Sequence, residues 1–350
     1  MSTTILDFEQ PFYDLKQKVE ELESFSGTGG IDLSEEVAEM LRRGEAMQAA
    51  VFSQLEPYQV VQLARHPERP QTSDYIEMIC DEFLELHGDR AVGDDRAIVC
   101  GLAIIDGRRC LIVGHRAGKG TRESVECNFG MPRPEGYRKA LAKMRLAEKL
   151  GLPIITFINT KGADCTPEAE ERGQAWLIAE NLREMAGLRV PTINIVIGEG
   201  GSGGALGIAM GDRVFMLQYA YYSVITPEGC SAILFKSPDR WQEAAAALRL
   251  TSSDLSAFGL IDEVIPEPVG GAQRNRKVIA DGVKRAIVRA MDELGELSAD
   301  DLLDRRYAKY RSISFYEESA RQLYEELDLG AVHPPREVPP APESPLPGRR

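Results

Sequence analysis

The stretch GEGGSGGALG (198–207) concentrates the groups most able to do chemistry. It follows the apolar run PTINIVI (191–197), so the spacing predicts a strand-to-helix elbow with backbone N–H groups left open. Three chemistries fit such an elbow. Gly198-x-Gly200-x-x-Gly203 matches a dinucleotide fingerprint, which needs an acidic residue about twenty positions on. The segment there, QYAYYSVI (218–225), contains none. Gly200-x-Ser202-x-Gly204 matches the nucleophile elbow of serine hydrolases, where a base must take the serine proton. The chain has four histidines: His66, His87, His115 and His333. Only His333 follows Ser202, and it sits in a proline-rich segment; His115 is left as a base without support. The third chemistry uses the backbone itself. Consecutive glycines at a helix start let a negative oxygen approach the N–H groups, which is an oxyanion hole. Five glycines in seven positions (198–204) exceed what a tight turn needs, which favours this third reading.

A second stretch, FINTKGADCTPEAEERGQ (157–174), has the same form: an apolar run ends in a small-residue loop and a charged helix begins. Chemistry in α/β proteins gathers at such strand ends. Thr166 reads as the helix cap, Pro167 as its first residue, and Glu168 to Glu171 suit the helix dipole.

The elements that must position these loops follow from periodicity. Phe8, Phe12, Leu15, Val19 and Leu22 alternate gaps of four and three, the stripe of a helix. Gly27-Thr28-Gly29-Gly30 breaks it, and Asp32 with Glu35 caps a second helix running to Pro57. A helix is expected over Asp74–Leu86. Strands are expected at 97–105 and 110–115 around the turn Asp106-Gly107-Arg108, then at 153–158 and 191–197. Helices are expected at 136–150, from Pro167 to Met185, from the glycine turn to Met210, and near 228–236. RVFML and YYSVI read as strands, and 259–265 as the last core element. Alternating strands and helices mean an α/β core, and continuously apolar strands mean cover on both faces. The organisation expected is an N-terminal helical arm (1–70), a core (71–275), C-terminal helices (276–330) and a disordered proline-rich tail (331–350).

Composition excludes several classes. With 43% apolar residues the chain can bury a large core. A net charge of −14 disfavours nucleic acid as a partner. No apolar run approaches a membrane span and the N-terminus lacks signal-peptide form, so a soluble cytoplasmic protein is expected. The six cysteines include no C-x-x-C pair, which argues against a zinc ribbon or disulfide framework in this chain.

Several strings then carry a resemblance. GEGGSGGALGIAMGD (198–212), NFGMPRPEGYRKAL (128–141), EERGQ (170–174), SVITPEGCSAIL (223–234), LDFEQP (6–11), LARHPERP (63–70) and LIDEVIPEPVGGAQRN (260–275) are similar to the α subunits of bacterial acetyl-CoA carboxylase carboxyltransferase. The likeness spans about residues 5 to 310. It implies a crotonase/ClpP-like α/β fold of repeated ββα units with an N-terminal helical arm and C-terminal helices. It also implies an α₂β₂ assembly with a zinc-ribbon β subunit, acting with a biotin carboxyl carrier protein and biotin carboxylase. The reaction implied moves a carboxyl group from carboxybiotin to acetyl-CoA, giving malonyl-CoA for fatty-acid synthesis. Biotin is carried by the partner, and no metal is expected in this chain. By match to the family pattern, Gly203 and Gly204 donate N–H to the biotin ureido oxygen, with Gly200, Gly201 and Ser202 lining the bound group. Gly162 and Ala163 are further loop donors, and Glu199 orients the turn. Arg133, Arg138 and Lys139, with Lys119 and Arg122, could meet an anion, although a solvated helix face explains them more simply.

Family members read D-T-P-G-A-Y-P-G-x-x-A-E-E-R-G-Q where this chain reads N-T-K-G-A-D-C-T-P-E-A-E-E-R-G-Q. Gly162 and Ala163 are kept, while Asn159, Lys161, Asp164, Cys165, Thr166, Pro167 and Glu168 depart. Those departures raise a second expectation: a related subunit with weakened catalysis, or one that takes another acyl-CoA.

Overall fold

Eight strands, among the residues described, form one sheet in the order β1-β2-β3-β4-β5-β6-β8, with β7 attached to the end of β5. They are β1 (Glu82–Glu85), β2 (Ile98–Ile105), β3 (Arg108–His115), β4 (Ile154–Thr160), β5 (Thr192–Gly201), β6 (Arg213–Leu217), β7 (Tyr221–Ser223) and β8 (Glu263–Ile265). The computed structural model describes residues 4–29 and 34–313. The expected cap at Asp32 and everything expected after residue 313, including the proline-rich tail, lie outside those residues. The described residues up to Tyr310 cluster as one unit.

β1, β2 and β3 pair antiparallel, and all later pairs are parallel. β4 and β5 are mostly apolar and buried on both faces, as their Ile-rich runs require, and the buried Asn194 and Thr156 satisfy each other by a hydrogen bond of 2.7 Å. β5 is unusually long for the sheet. Ile193–Val196 pair with β6, while Glu199–Gly201 pair with β7, so the glycine stretch is still strand when it leaves the core. Helices cover the sheet. Pro134–Lys149 and Gln174–Ala186 pack together beneath the glycine turn, and Tyr75 stacks on Phe157 of β4 with centroids 5.6 Å apart.

Three expectations need correction. The helix expected over Asp74–Leu86 ends at Ile79, and Glu82–Glu85 pairs with β2 instead. There Phe83 fills the slot left by Gly101 on the neighbouring strand. The single helix from Pro167 to Met185 is two, Pro167–Glu171 and Gln174–Ala186, divided at Gly173 with φ 82°. The helix after the glycine turn is only Ser202–Leu206 and does not reach Met210.

The N-terminal helices Gln10–Gly29 and Ser34–Phe52 lie against each other, and their base is tied to the core. Phe52 sits edge-on to both Phe8 and Tyr219, at 5.9 and 5.8 Å, and buried Glu9 accepts from Arg274 at 3.0 Å.

Candidate active site

The ends of β3, β4 and β5 meet at one point, and Asn159 joins them. Its backbone N–H donates to His115 Nδ1 (3.2 Å), and its side-chain oxygen accepts from the Glu199 N–H (3.0 Å). β5 then ends at Gly201, which starts the helix without any side chain to cap it. First-turn N–H groups have no intrahelical acceptor. Those of Gly203 and Gly204 donate to no protein group among the described residues.

The loop after β4 packs directly on this turn. A methyl group added at Gly204 would lie 2.5 Å from the Ala163 nitrogen and 2.8 Å from Gly162 Cα. One at Gly201 would lie 2.8 Å from the Thr160 oxygen, and one at Gly200 2.8 Å from the Tyr222 ring. Close packing therefore requires glycine at 200, 201 and 204. Gly203 is different: the nearest atom to such a methyl is Ile178 Cδ1, at 3.6 Å. Of the two loop groups expected as donors, Gly162 N–H is already used, donating to Thr160 Oγ1 at 3.1 Å. Thr160 Oγ1 in turn donates to the Gly162 carbonyl at 2.8 Å. Ala163 N–H has no protein acceptor among the described residues. Three open donors, those of Ala163, Gly203 and Gly204, thus lie at the junction of two backbones.

The altered part of the β4 loop is internally satisfied. Asp164 is buried; its N–H donates to the Pro132 carbonyl (2.9 Å), and its carboxylate accepts from Thr166 N–H (3.0 Å) and faces Arg133 (3.5 Å). Thr166 caps the short helix by accepting from Ala169 N–H at 3.4 Å, and Pro167 occupies the first helical position, where no N–H is needed. Lys161 extends over the Phe129 ring, 5.7 Å from its centroid.

Ser202 has φ 50° and is exposed, and its hydroxyl has no hydrogen bond among the described residues. Among the described residues no histidine serves it. His66 bonds Thr4 and Glu68, and His87 bonds Asp94. His115 is fully buried; burial pushes its imidazole down to about 3, so the ring is neutral, and its accepting nitrogen is taken by Asn159. A serine nucleophile has no base in this arrangement.

Around the turn stands an ion-pair cluster that the spacing of residues did not reveal. Arg65 donates to Glu199 (2.8 Å), Glu228 (2.6 Å) and the Tyr221 hydroxyl (3.2 Å), and Tyr221 donates to Glu199 at 2.5 Å. Glu199 does brace the turn, through residues 22 to 134 positions away. The basic residues weighed against an anion are engaged by acids. Arg138 pairs with Asp89, Lys119 with Asp74 and Arg122 with Glu126. Lys139 corrects the expectation of a solvated face: it is buried, bonding Asp94 (2.6 Å) and the Asp95 carbonyl (2.7 Å).

A profile of the family described as acetyl co-enzyme A carboxylase carboxyltransferase-like matches residues 5–314. The chain belongs to that family. It is 49% identical over 320 residues to the acetyl-coenzyme A carboxylase carboxyl transferase subunit alpha of Azoarcus sp. (strain BH72), covering 91% of this chain and 100% of the relative. It is 51% identical over 318 residues to the protein of the same name from Thioalkalivibrio sulfidiphilus (strain HL-EbGR7), covering 91% and 100%. Among solved structures, a transcarboxylase 12S with methylmalonyl-coenzyme A and methylmalonic acid bound aligns at TM-score 0.53 and 20% identity, over 64% of this chain and 41% of that one. The Pseudomonas malonate decarboxylase MdcD-MdcE hetero-dimer aligns at TM-score 0.52 and 15% identity, over 67% and 92%. At such identities the likeness bears on the fold, which is the expected crotonase-like α/β fold of carboxyltransferases. Among the described residues, no helix is long and apolar enough to cross a membrane.

Proposed function

We propose that this chain is the α subunit of an acetyl-CoA carboxylase carboxyltransferase, working with a separate β subunit in an α₂β₂ assembly. In this role it accepts carboxybiotin from a biotin carboxyl carrier protein, charged by biotin carboxylase, and its product with acetyl-CoA is malonyl-CoA. The observation that carries the proposal is the junction where the open N–H groups of Gly203 and Gly204 sit against the Ala163 loop, inside a chain of this family.

Bound biotin would supply the transferable carboxyl group and, as that group leaves, an increasingly negative ureido oxygen. The N–H groups of Gly203 and Gly204 would point at that oxygen, held by neighbours so that no reorganisation is needed during reaction. Such donors are worth most where water is excluded, and removing one costs about 10²–10³ in rate. Gly200, Gly201 and Ser202 shape the wall beside them, and Ala163 offers a third N–H from the facing loop. Ser202 acts as part of the turn; neither it nor His115 handles a proton.

The same geometry speaks for full rather than weakened activity. The departures between Asn159 and Glu168 make their own caps and bonds and leave the Gly162–Ala163 contact with Gly204 in place. Co-expression with its β subunit, followed by an assay of carboxyl transfer from malonyl-CoA to free biotin, tests the proposal. Turnover that depends on both subunits is expected. Stable assembly without turnover would instead support a subunit that serves assembly or another acyl-CoA, and turnover abolished by Ser202→Ala would revive the hydrolase reading.

A further inference from the structure

Two buried polar side chains beneath the glycine turn have no part in the chemistry above. Tyr137 and His115 are both fully buried. The Tyr137 hydroxyl donates to the Gly204 carbonyl at 2.9 Å. In a regular helix that carbonyl would accept from the N–H of Ile208, four residues on. Here Ile208 N–H goes to Ala205 at 3.2 Å, while Gly207 N–H goes to Gly203 at 3.0 Å. The ladder therefore skips Gly204, and a side chain from the helix Pro134–Lys149 supplies the missing donor. The helix ends two residues later, at Leu206.

The phenol is itself fixed. Its ring fills the space where a side chain at Gly207 would stand, and Asn181 Nδ2 donates to both the Tyr137 carbonyl (3.1 Å) and the Gly207 carbonyl (2.9 Å). Burial raises the phenol well above its ordinary value, so it stays a donor. His115 comes from the other side. With Nδ1 accepting from Asn159, its proton is on Nε2, which is buried and has no hydrogen-bond partner among the described residues.

We propose that Tyr137 is a positioning residue: it takes the Gly204 carbonyl out of the helix ladder and so keeps the N–H groups of Gly203 and Gly204 aimed outward. The proposal rests on the function proposed above for that turn. Without the hydroxyl, the Gly204 carbonyl has reason to turn toward the Ile208 N–H, which rotates the Gly204–Ala205 peptide and, through the Gly204 Cα, disturbs the adjoining peptide that carries the Gly204 N–H.

The test compares Tyr137→Phe with Tyr75→Phe, both made in the assembled α–β enzyme. Tyr75 is an equally buried tyrosine whose hydroxyl has no partner among the described residues, so it controls for the general loss of a core oxygen. Because misaiming a donor costs less than deleting one, Tyr137→Phe should lower kcat about 10- to 100-fold while KM stays within about twofold. Tyr75→Phe should leave both unchanged. Hydrogen exchange of a peptide covering residues 202–210 gives a readout independent of turnover. It should be at least about threefold faster in Tyr137→Phe only, because helix amides exchange through local opening. A kcat within twofold of wild type with unchanged exchange overturns the positioning role, as does an equal loss in Tyr75→Phe. If the wild-type assembly transfers no carboxyl group, the function proposal fails, and the exchange comparison still decides what Tyr137 does to the turn.

Discussion

The loops after β4 and β5 sit face to face, yet they are held in opposite ways. The β4 loop is tied by its own side chains: Thr160 to Gly162, Asp164 to Thr166 and Arg133, Thr166 to Ala169. The β5 turn has almost no side chains to use, and its neighbours hold it: Tyr137 on one carbonyl, Asn159 on one N–H, and the backbone of Gly162–Ala163 against Gly204. A loop that satisfies itself can exchange residues, provided each replacement makes its own bonds. A turn held by others must keep glycine wherever those others press on it. This difference accounts for how Asp164 and Thr166 of the β4 loop can depart from the family pattern while GEGGSGGALG keeps to it.

The sharpest way to break the comparison is Gly204→Ala. The colliding atoms are backbone, which cannot rotate away, so the two loops must separate. A loss of at least about 100-fold in carboxyl transfer is expected, with about 1–3 kcal/mol of stability lost by overpacking. Steady-state kinetics and denaturant unfolding measure both. Next in size is the pH response of His115. Its folded value of about 3 lies below the ordinary 6.5, so below pH 6.5 the unfolded chain binds a proton that the folded chain refuses. Its contribution is complete above pH 6.5 and is lost as pH falls from there toward 3, by at most about 1.4 kcal/mol per pH unit. Unfolding curves should therefore lose stability less steeply with acid in His115→Gln than in wild type; equal slopes would show that the ring is not held neutral. Thr166→Ala removes one cap and should cost about 1 kcal/mol, with turnover within about twofold, because the β4 loop has other ties. A large loss of activity there would mean that the loop is less self-sufficient than its bonds indicate. Smallest is Gly203→Ala, where the added methyl has room: turnover should stay within about threefold, since the N–H is kept.

Much of this arrangement was legible in the chain, and the rest failed for a common physical reason. β4 and β5 announce themselves because strands covered on both faces must be mostly apolar. Thr166 and Pro167 were readable as cap and first residue because capping is local. Gly203 and Gly204 came from resemblance, and spacing alone could not tell which glycines are needed for packing. The roles of Lys139, Arg65 and Tyr137 are not legible in local spacing because their partners lie 44 to 163 residues away. In the sequence β1 reads as helix because Tyr75, Ile76 and Ile79 set a helical period just before it, and only the slot at Gly101 shows what Phe83 is for. Local chemistry could be read from the chain; pairing across the sheet could not.

The central claim is that a backbone N–H, and no side chain, carries the chemistry at this turn. Gly204→Pro also deletes that N–H, but its ring would stand where Gly162 and Ala163 already are. The direct measurement replaces the amide between Gly203 and Gly204 by an ester, using glycolic acid at position 204, which removes the N–H and adds no bulk. In the assembled enzyme, kcat for carboxyl transfer should fall about 10²–10³-fold with KM for malonyl-CoA within about twofold. A fall of less than about tenfold would contradict the account.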